Sequence, residues 1–234
     1  MPHYTDFDKH VRLGDVVMSS PPLQGQRFIY QFCESVKQKG QGEIQFETKS
    51  WCPVDLGLQQ IQQSLLDKMS EERPWLKHYQ NGLNVLCDHE EDQTSGGLGF
   101  VDEGWLRPSA ESDKLYMSMG GGDVIEVGHP TPPEGVDDPR IHGHPVLHMG
   151  PLAAGRAVAL DDQLRQEYAS RNGILAFDSE LDAVVESIYG NRKDQYTLIR
   201  GMADYKDGTR RKDWQQYAAL NAAAVLKTVI NEMQ

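Results

Sequence analysis

A chain of 234 residues with 38% hydrophobic content is long enough to bury one sizeable core and too short for two ordinary domains. Its formal net charge of −12 sets the surface against a nucleic-acid backbone, though not against a small phosphorylated ligand held by a local basic cluster. The cysteines, Cys33, Cys52 and Cys87, are odd in number and form no C-x-x-C pair, which argues against a disulfide framework and suits a reducing, cytoplasmic compartment.

The first residues, Met1 to Asp6, carry neither the basic nor the apolar region of a signal peptide, and no apolar run approaches the roughly 20 residues of a membrane span. Val11 to Met18 has the composition of a short strand, stopped by Ser19-Ser20-Pro21-Pro22, and Arg27 to Phe32 reads as a second. Over Val54 to Met69, the positions of Leu58, Ile61, Leu65, Leu66 and Met69 predict an amphipathic helix, and Trp75 to Leu86 predicts a weaker one. Residues 88–145, with Asp88-His89-Glu90-Glu91-Asp92, Gly120-Gly121-Gly122 and Pro130-Thr131-Pro132-Pro133, have the composition of a flexible insertion in a single domain spanning 1–234. Beyond Pro145 two short apolar runs, Val146 to Met149 and Ala157 to Leu160, flank Gly150-Pro151-Leu152-Ala153-Ala154-Gly155. A helix over Asp161 to Arg171 begins on Asp161 as N-cap and ends at Asn172-Gly173. Ile174 to Phe177 predicts a strand, Glu180 to Tyr189 a helix, Tyr196 to Ile199 a strand and Asp213 to Met233 a long helix. Strands alternating with helices place the chain in the α/β class.

Two acids stand out in this last third. Glu180 and Asp204 each lie just past an apolar run that reads as a buried strand, and ligands of α/β sheets sit where strands end. One carboxylate gripping a sugar and another protonating a leaving base suffice for cleavage of an N-glycosidic bond. The plainer readings are a loop aspartate capping a turn and a glutamate complementing a helix dipole. Lys206, Arg210, Arg211 and Lys212 form either a solvated basic loop or a clamp for phosphate. His142, His144 and His148 have no cysteine or carboxylate at ligand spacing, so no metal is expected. Gly120-Gly121-Gly122-Asp123 lacks the lysine of a phosphate loop.

Four ordered stretches resemble the nucleoside phosphorylase superfamily. Leu13-Gly14-Asp15-Val16-Val17 is similar to "LGDVVVS", Gly150 to Gly155 to "GxIASG", and Phe177-Asp178-Ser179-Glu180-Leu181-Asp182-Ala183 to "F/V-E-M-E-A-A". Ile199 to Asp207 followed by Trp214 to Ala219 resembles "IRGxxDYxD…WQxYAA", the version found in multidomain defence proteins. The resemblance implies a three-layer fold with a central mixed sheet flanked by helices. It also implies that the family's first strands are missing from this chain.

By the same resemblance, Glu180 binds the ribose hydroxyls, Asp204 protonates the purine at N7, and Asp178 with Arg200 forms a supporting ion pair. A purine-contact strand near Val158 and Ala159, Phe177, and a closing aromatic at Trp214 complete the implied binding residues. Ser179 stands where the family carries methionine under the ribose. An aspartate at the catalytic position suits adenine-type bases, and a clamp of Lys206, Arg210 and Arg211 favours a nucleotide, since defence-type members cleave ATP at this bond. The implied activity is a purine nucleosidase or phosphorylase, with water or inorganic phosphate as attacking group, no cofactor, and a homo-oligomeric assembly. The alternative is a catalytically degenerate domain used for ligand sensing or assembly.

Overall fold

The computed structural model describes residues 5–38, 43–68, 72–93, 103–120, 123–178, 181–205 and 212–233. In chain order the described residues form β1 (Val16–Ser19), β2 (Tyr30–Gln38), β3 (Ile44–Trp51), α1 (Gly57–Asp67), α2 (Trp75–Gln93), β4 (Leu115–Gly120), β5 (Asp123–Val127), β6 (Leu147–Gly150) and β7 (Leu152–Ala154). They continue with α3 (Arg156–Leu160), α4 (Asp162–Asn172), β8 (Ala176–Phe177), α5 (Asp182–Gly190), β9 (Ile199–Gly201) and α6 (Lys212–Glu232). The architecture is mixed α/β.

All four residues of β1 are buried, as a strand covered on both faces requires. It lies between β6, which runs parallel to it, and β9, which runs antiparallel, with Val16 opposite both Leu147 and Gly201. A second sheet has the order β3-β2-β7-β8. Only Pro151 separates β6 from β7, so one run of chain feeds both sheets. The Pro151 carbonyl is still used, accepting from the Leu175 N–H at 3.0 Å. Val17, Ile29, Tyr30, Trp51, Leu152, Val185 and Leu198 fuse the two sheets and α5 into one core.

The helices follow from their buried faces and caps. On α6, Trp214, Tyr217, Ala218, Asn221, Ala224, Val225 and Thr228 recur at helical spacing and are buried, and the helix packs on β1, β9 and α2. It crosses β9 so closely that a Cβ on Gly201 would collide with the backbone carbonyl of Ala218. Asp161 caps α4, accepting from the Leu164 N–H at 3.0 Å, and Gly173 ends that helix in the left-handed region at φ 67°. Helix α1 starts at Gly57, later than its periodicity suggests, because the Asp55 carboxylate takes the Gly57 N–H. It buries Gln59 and Gln62, whose amides donate to Tyr196 O and Thr197 Oγ1.

Two expectations change. The run after Gly155 is not a strand but the short helix α3: Gly155 has φ 147° and sits where a Cβ would fall 2.6 Å from the Cys33 carbonyl, so the chain turns sharply there. The interval 88–145, expected as a flexible insertion, holds regular structure where it is described. It carries the β4–β5 hairpin, with Leu115 opposite Val127, and short 3₁₀ turns at Glu103–Trp105, Ala110–Ser112 and Pro139–His142. Leu115, Asp113, Asp138 and Arg140 are all buried. Composition misleads here because charged residues count as solvated when read singly, whereas these are paired inside the protein.

Candidate functional site

The sheet ends converge on two adjoining hollows. The first, about 220 Å³, is lined by Leu175 to Asp178 around the end of β8, by Arg200 to Tyr205 around the end of β9, and by Arg165 from α4. The second, about 380 Å³, is lined by Phe32, Ala154, Gly155, Arg156, Ala159 and Leu160. Arg165, Phe177 and Asp178 belong to both, so the hollows share a wall. That wall is stiff. The Arg165 side chain is buried, donating to Ala159 O at 3.2 Å and pairing with Asp162 at 2.5 Å. Phe177 packs in an aromatic row with Tyr168, 6.2 Å between ring centroids, and Tyr168 packs with Phe46 at 4.9 Å.

Asp178 and Arg200 bridge the two strand ends, Oδ2 to Nε 2.8 Å. Asp204, half-buried, lies on the wall of the same hollow. One half-buried acid, a bridging ion pair and an aromatic ring therefore line one space. Ala159 lines the second hollow, and Phe177 lines both. Val158 does not: it points from α3 into the core against Tyr168 and Ala169, because successive helical residues face different ways. Trp214 is likewise a core residue, 0% exposed. Its ring packs with Leu13, Tyr205 and Tyr217, and its indole N–H donates to Ser112 Oγ at 2.9 Å. Ser179, Glu180, Lys206, Arg210 and Arg211 lie outside the described residues. Lys212 opens α6 with its side chain exposed.

Behind the first hollow lies a buried polar network that the sequence does not announce. Asp15, in the Leu13-Gly14-Asp15 approach to β1, accepts from Arg140 Nη2 at 2.7 Å, from His148 Nε2 at 3.0 Å, and from the backbone N–H groups of Arg12 and Val146. Burial alone would raise this carboxyl. Arg140 and His148 outweigh it and hold Asp15 well below the usual carboxylate range. Arg140 continues to Asp138, and Arg12 links Asp138 at 3.6 Å to Asp113 at 2.7 Å. Asp113 in turn accepts from the Tyr205 hydroxyl at 2.5 Å. His129 Nε2 lies 2.7 Å from the Asp113 carbonyl, which can only accept, so Nε2 carries the proton. His129 Nδ1 then accepts from His10 Nε2 at 2.9 Å, leaving His10 Nδ1 as a buried acceptor without a partner among the described residues. Burial, with His129, Arg140 and Arg12 nearby, pushes His10 down to about 3.

Sequence reasoning found the ends of β8 and β9 but missed Arg165, Tyr205 and the network. Arg165 carried a signal, three residues after Asp162 on a helix, although an i,i+3 pair ordinarily sits in solvent. For Asp113 the local sequence held no signal, since its partners Arg12 and Tyr205 are distant in the chain, and Arg140, though two residues from Asp138, meets Asp15 only through the fold.

No helix among the described residues is long and apolar enough to cross a membrane. Among the same residues no group of histidine, cysteine and acidic side chains is arranged to hold a metal ion. No protein-family model matches the chain, and no solved structure matches it. The chain is similar to a nucleotide-binding leucine-rich repeat (NLR)-like protein of Hyaloscypha variabilis, 24% identical over 225 residues, which is 95% of this chain and 20% of the relative. It thus spans about a fifth of the length of the curated relative it matches.

Proposed function

We propose that this chain is a nucleoside phosphorylase-like domain that cleaves the N-glycosidic bond of an adenine nucleoside or nucleotide. The observation that carries the reading is the shared hollow: Asp204 and the Asp178–Arg200 pair face one space at the ends of β8 and β9, in the order the four sequence stretches imply. The mixed α/β architecture is compatible with the three-layer fold of that superfamily. The likeness to an NLR-like protein supports the defence-type version of the domain.

In the proposed reaction the bond between ribose C1′ and the base nitrogen breaks while charge builds on the sugar as an oxocarbenium ion. Asp204 donates a proton at purine N7, so the base leaves neutral, and Glu180 holds the ribose hydroxyls. Phe177 stacks against the base, and Arg200, held by Asp178, keeps the two strand ends in register. Inorganic phosphate takes the vacated position on the sugar, or water does so and releases a proton, which restores the protonated Asp204.

The test is free adenine, followed by chromatography after incubation with adenosine, methylthioadenosine and ATP, each with and without phosphate. Release from at least one substrate supports the reading, and phosphate dependence identifies a phosphorylase. Serine at position 179 favours one second reading, a domain that binds such a ligand without cleaving it. Saturable nucleotide binding with no adenine from any substrate selects that alternative.

A further inference from the structure

Asp204 sits between two anchors. On one side the Met202 backbone is tied to the Gly14–Asp15 turn in both directions, its N–H donating to Asp15 O at 2.8 Å and its carbonyl accepting from the Gly14 N–H at 2.7 Å. On the other side the Tyr205 ring, 2% exposed, sends its hydroxyl to Asp113 Oδ1 at 2.5 Å and accepts from the Leu13 N–H at 3.1 Å. Asp113, 5% exposed, cannot drift: Arg12 Nε and Nη2 grip its other oxygen at 2.8 and 2.7 Å, and His129 takes its carbonyl. A buried phenol bonded to a buried carboxylate is a stiff joint, because neither group has water to turn to. The joint crosses the chain from residue 113 to residue 205, and both Tyr205 and Asp204 line the same hollow.

We infer that Asp113 is a positioning residue for the proposed reaction, fixing the Asp204 carboxyl against the ligand through the Tyr205 hydroxyl. This rests on the N-glycosidic reading and adds to it that the 103–145 segment belongs to the catalytic apparatus. Asp113 touches no substrate. It limits the arc over which Asp204 moves, so its loss acts on the rate of bond cleavage and leaves ligand affinity nearly unchanged.

The experiment uses Tyr205→Phe, which deletes one oxygen and leaves the Arg12–Asp113 pair intact, with Asp113→Asn as a second variant that keeps an acceptor for the phenol. Three quantities are read: kcat and KM for adenine release, and backbone amide exchange at residues 203–205 against that of β1. For Tyr205→Phe the expected result is a kcat loss of about 10- to 100-fold with KM within about threefold, and faster exchange at 203–205 with β1 unchanged. Asp113→Asn falls between the wild type and Tyr205→Phe. Wild-type kcat together with wild-type exchange in Tyr205→Phe overturns the inference, as does a uniform loss across 203–205 and β1. If the wild-type chain releases no base, the N-glycosidic reading fails by itself, and the exchange pattern still decides whether the joint holds Asp204.

Discussion

Position for position, the chain separates water-screened charge pairs from buried ones. Asp178 and Arg200 are 17% and 38% exposed, so water screens their 2.8 Å contact. Arg200→Gln should lower unfolding free energy by less than about 1 kcal/mol in urea titration. The same variant should slow adenine release. Arg140 is the opposite case, with its side chain 6% exposed and bonded to both Asp15 and Asp138. Arg140→Gln leaves two buried carboxylates short of a partner and should cost about 3–5 kcal/mol by the same measurement. A loss under about 1 kcal/mol would contradict the place given to this network. These roles were unequally legible. The Asp178–Arg200 contact was expected through the resemblance alone, whereas Asp204 was singled out because it follows an apolar run that reads as a strand. Trp214 could have been read correctly from helical phase alone: Tyr217, Ala218, Asn221 and Ala224 share its face, and all are buried. An aromatic side chain on that stripe belongs to the core.

Among the elements, the site depends on how closely α6 rides over β9. Gly201 lies under the Ala218 carbonyl and leaves no room for a side chain. Gly201→Ala must push helix from strand, which should cost about 1–3 kcal/mol and displace Arg200 and Asp204 together. Chemical denaturation gives the first quantity, and the rate of adenine release reports the second. A fully stable and fully active Gly201→Ala would mean that the approach is looser than the geometry requires. Element order was largely legible in the sequence, since α4, α5 and α6 follow from capping and periodicity. The run after Gly155 was not. Ala157-Val158-Ala159-Leu160 suits helix or strand equally, and the turn at Gly155 against Cys33 decides it. The 103–145 interval was hidden for a related reason: its buried partners are far along the chain, Tyr205 92 and Arg12 101 residues from Asp113, and Asp15 125 residues from Arg140.

For the molecule as a whole, the buried network makes stability depend on pH. The folded state holds His10 neutral down to about 3, with His129 also pushed below its ordinary value by burial, while the unfolded chain takes up protons on both near 6.5. Unfolding therefore binds protons, and stability falls as pH drops from about 6.5 toward 3. Asp15 acts in the same direction at lower pH, because its folded carboxyl resists protonation that the unfolded one accepts below about 4. Urea midpoints measured from pH 7 to pH 4 should decline steadily, and a flat profile would contradict neutral buried imidazoles. In the proposed reading a small ligand occupies the hollow at the ends of β8 and β9, beside Arg200. The role of Asp204 is tested most sharply by comparing the wild-type chain with Asp204→Asn on the best of the adenine substrates. The expected result is adenine release by the wild type and a loss of about 10²- to 10⁴-fold in the variant, whose melting curve stays close to wild type. Equal release by both proteins would contradict it.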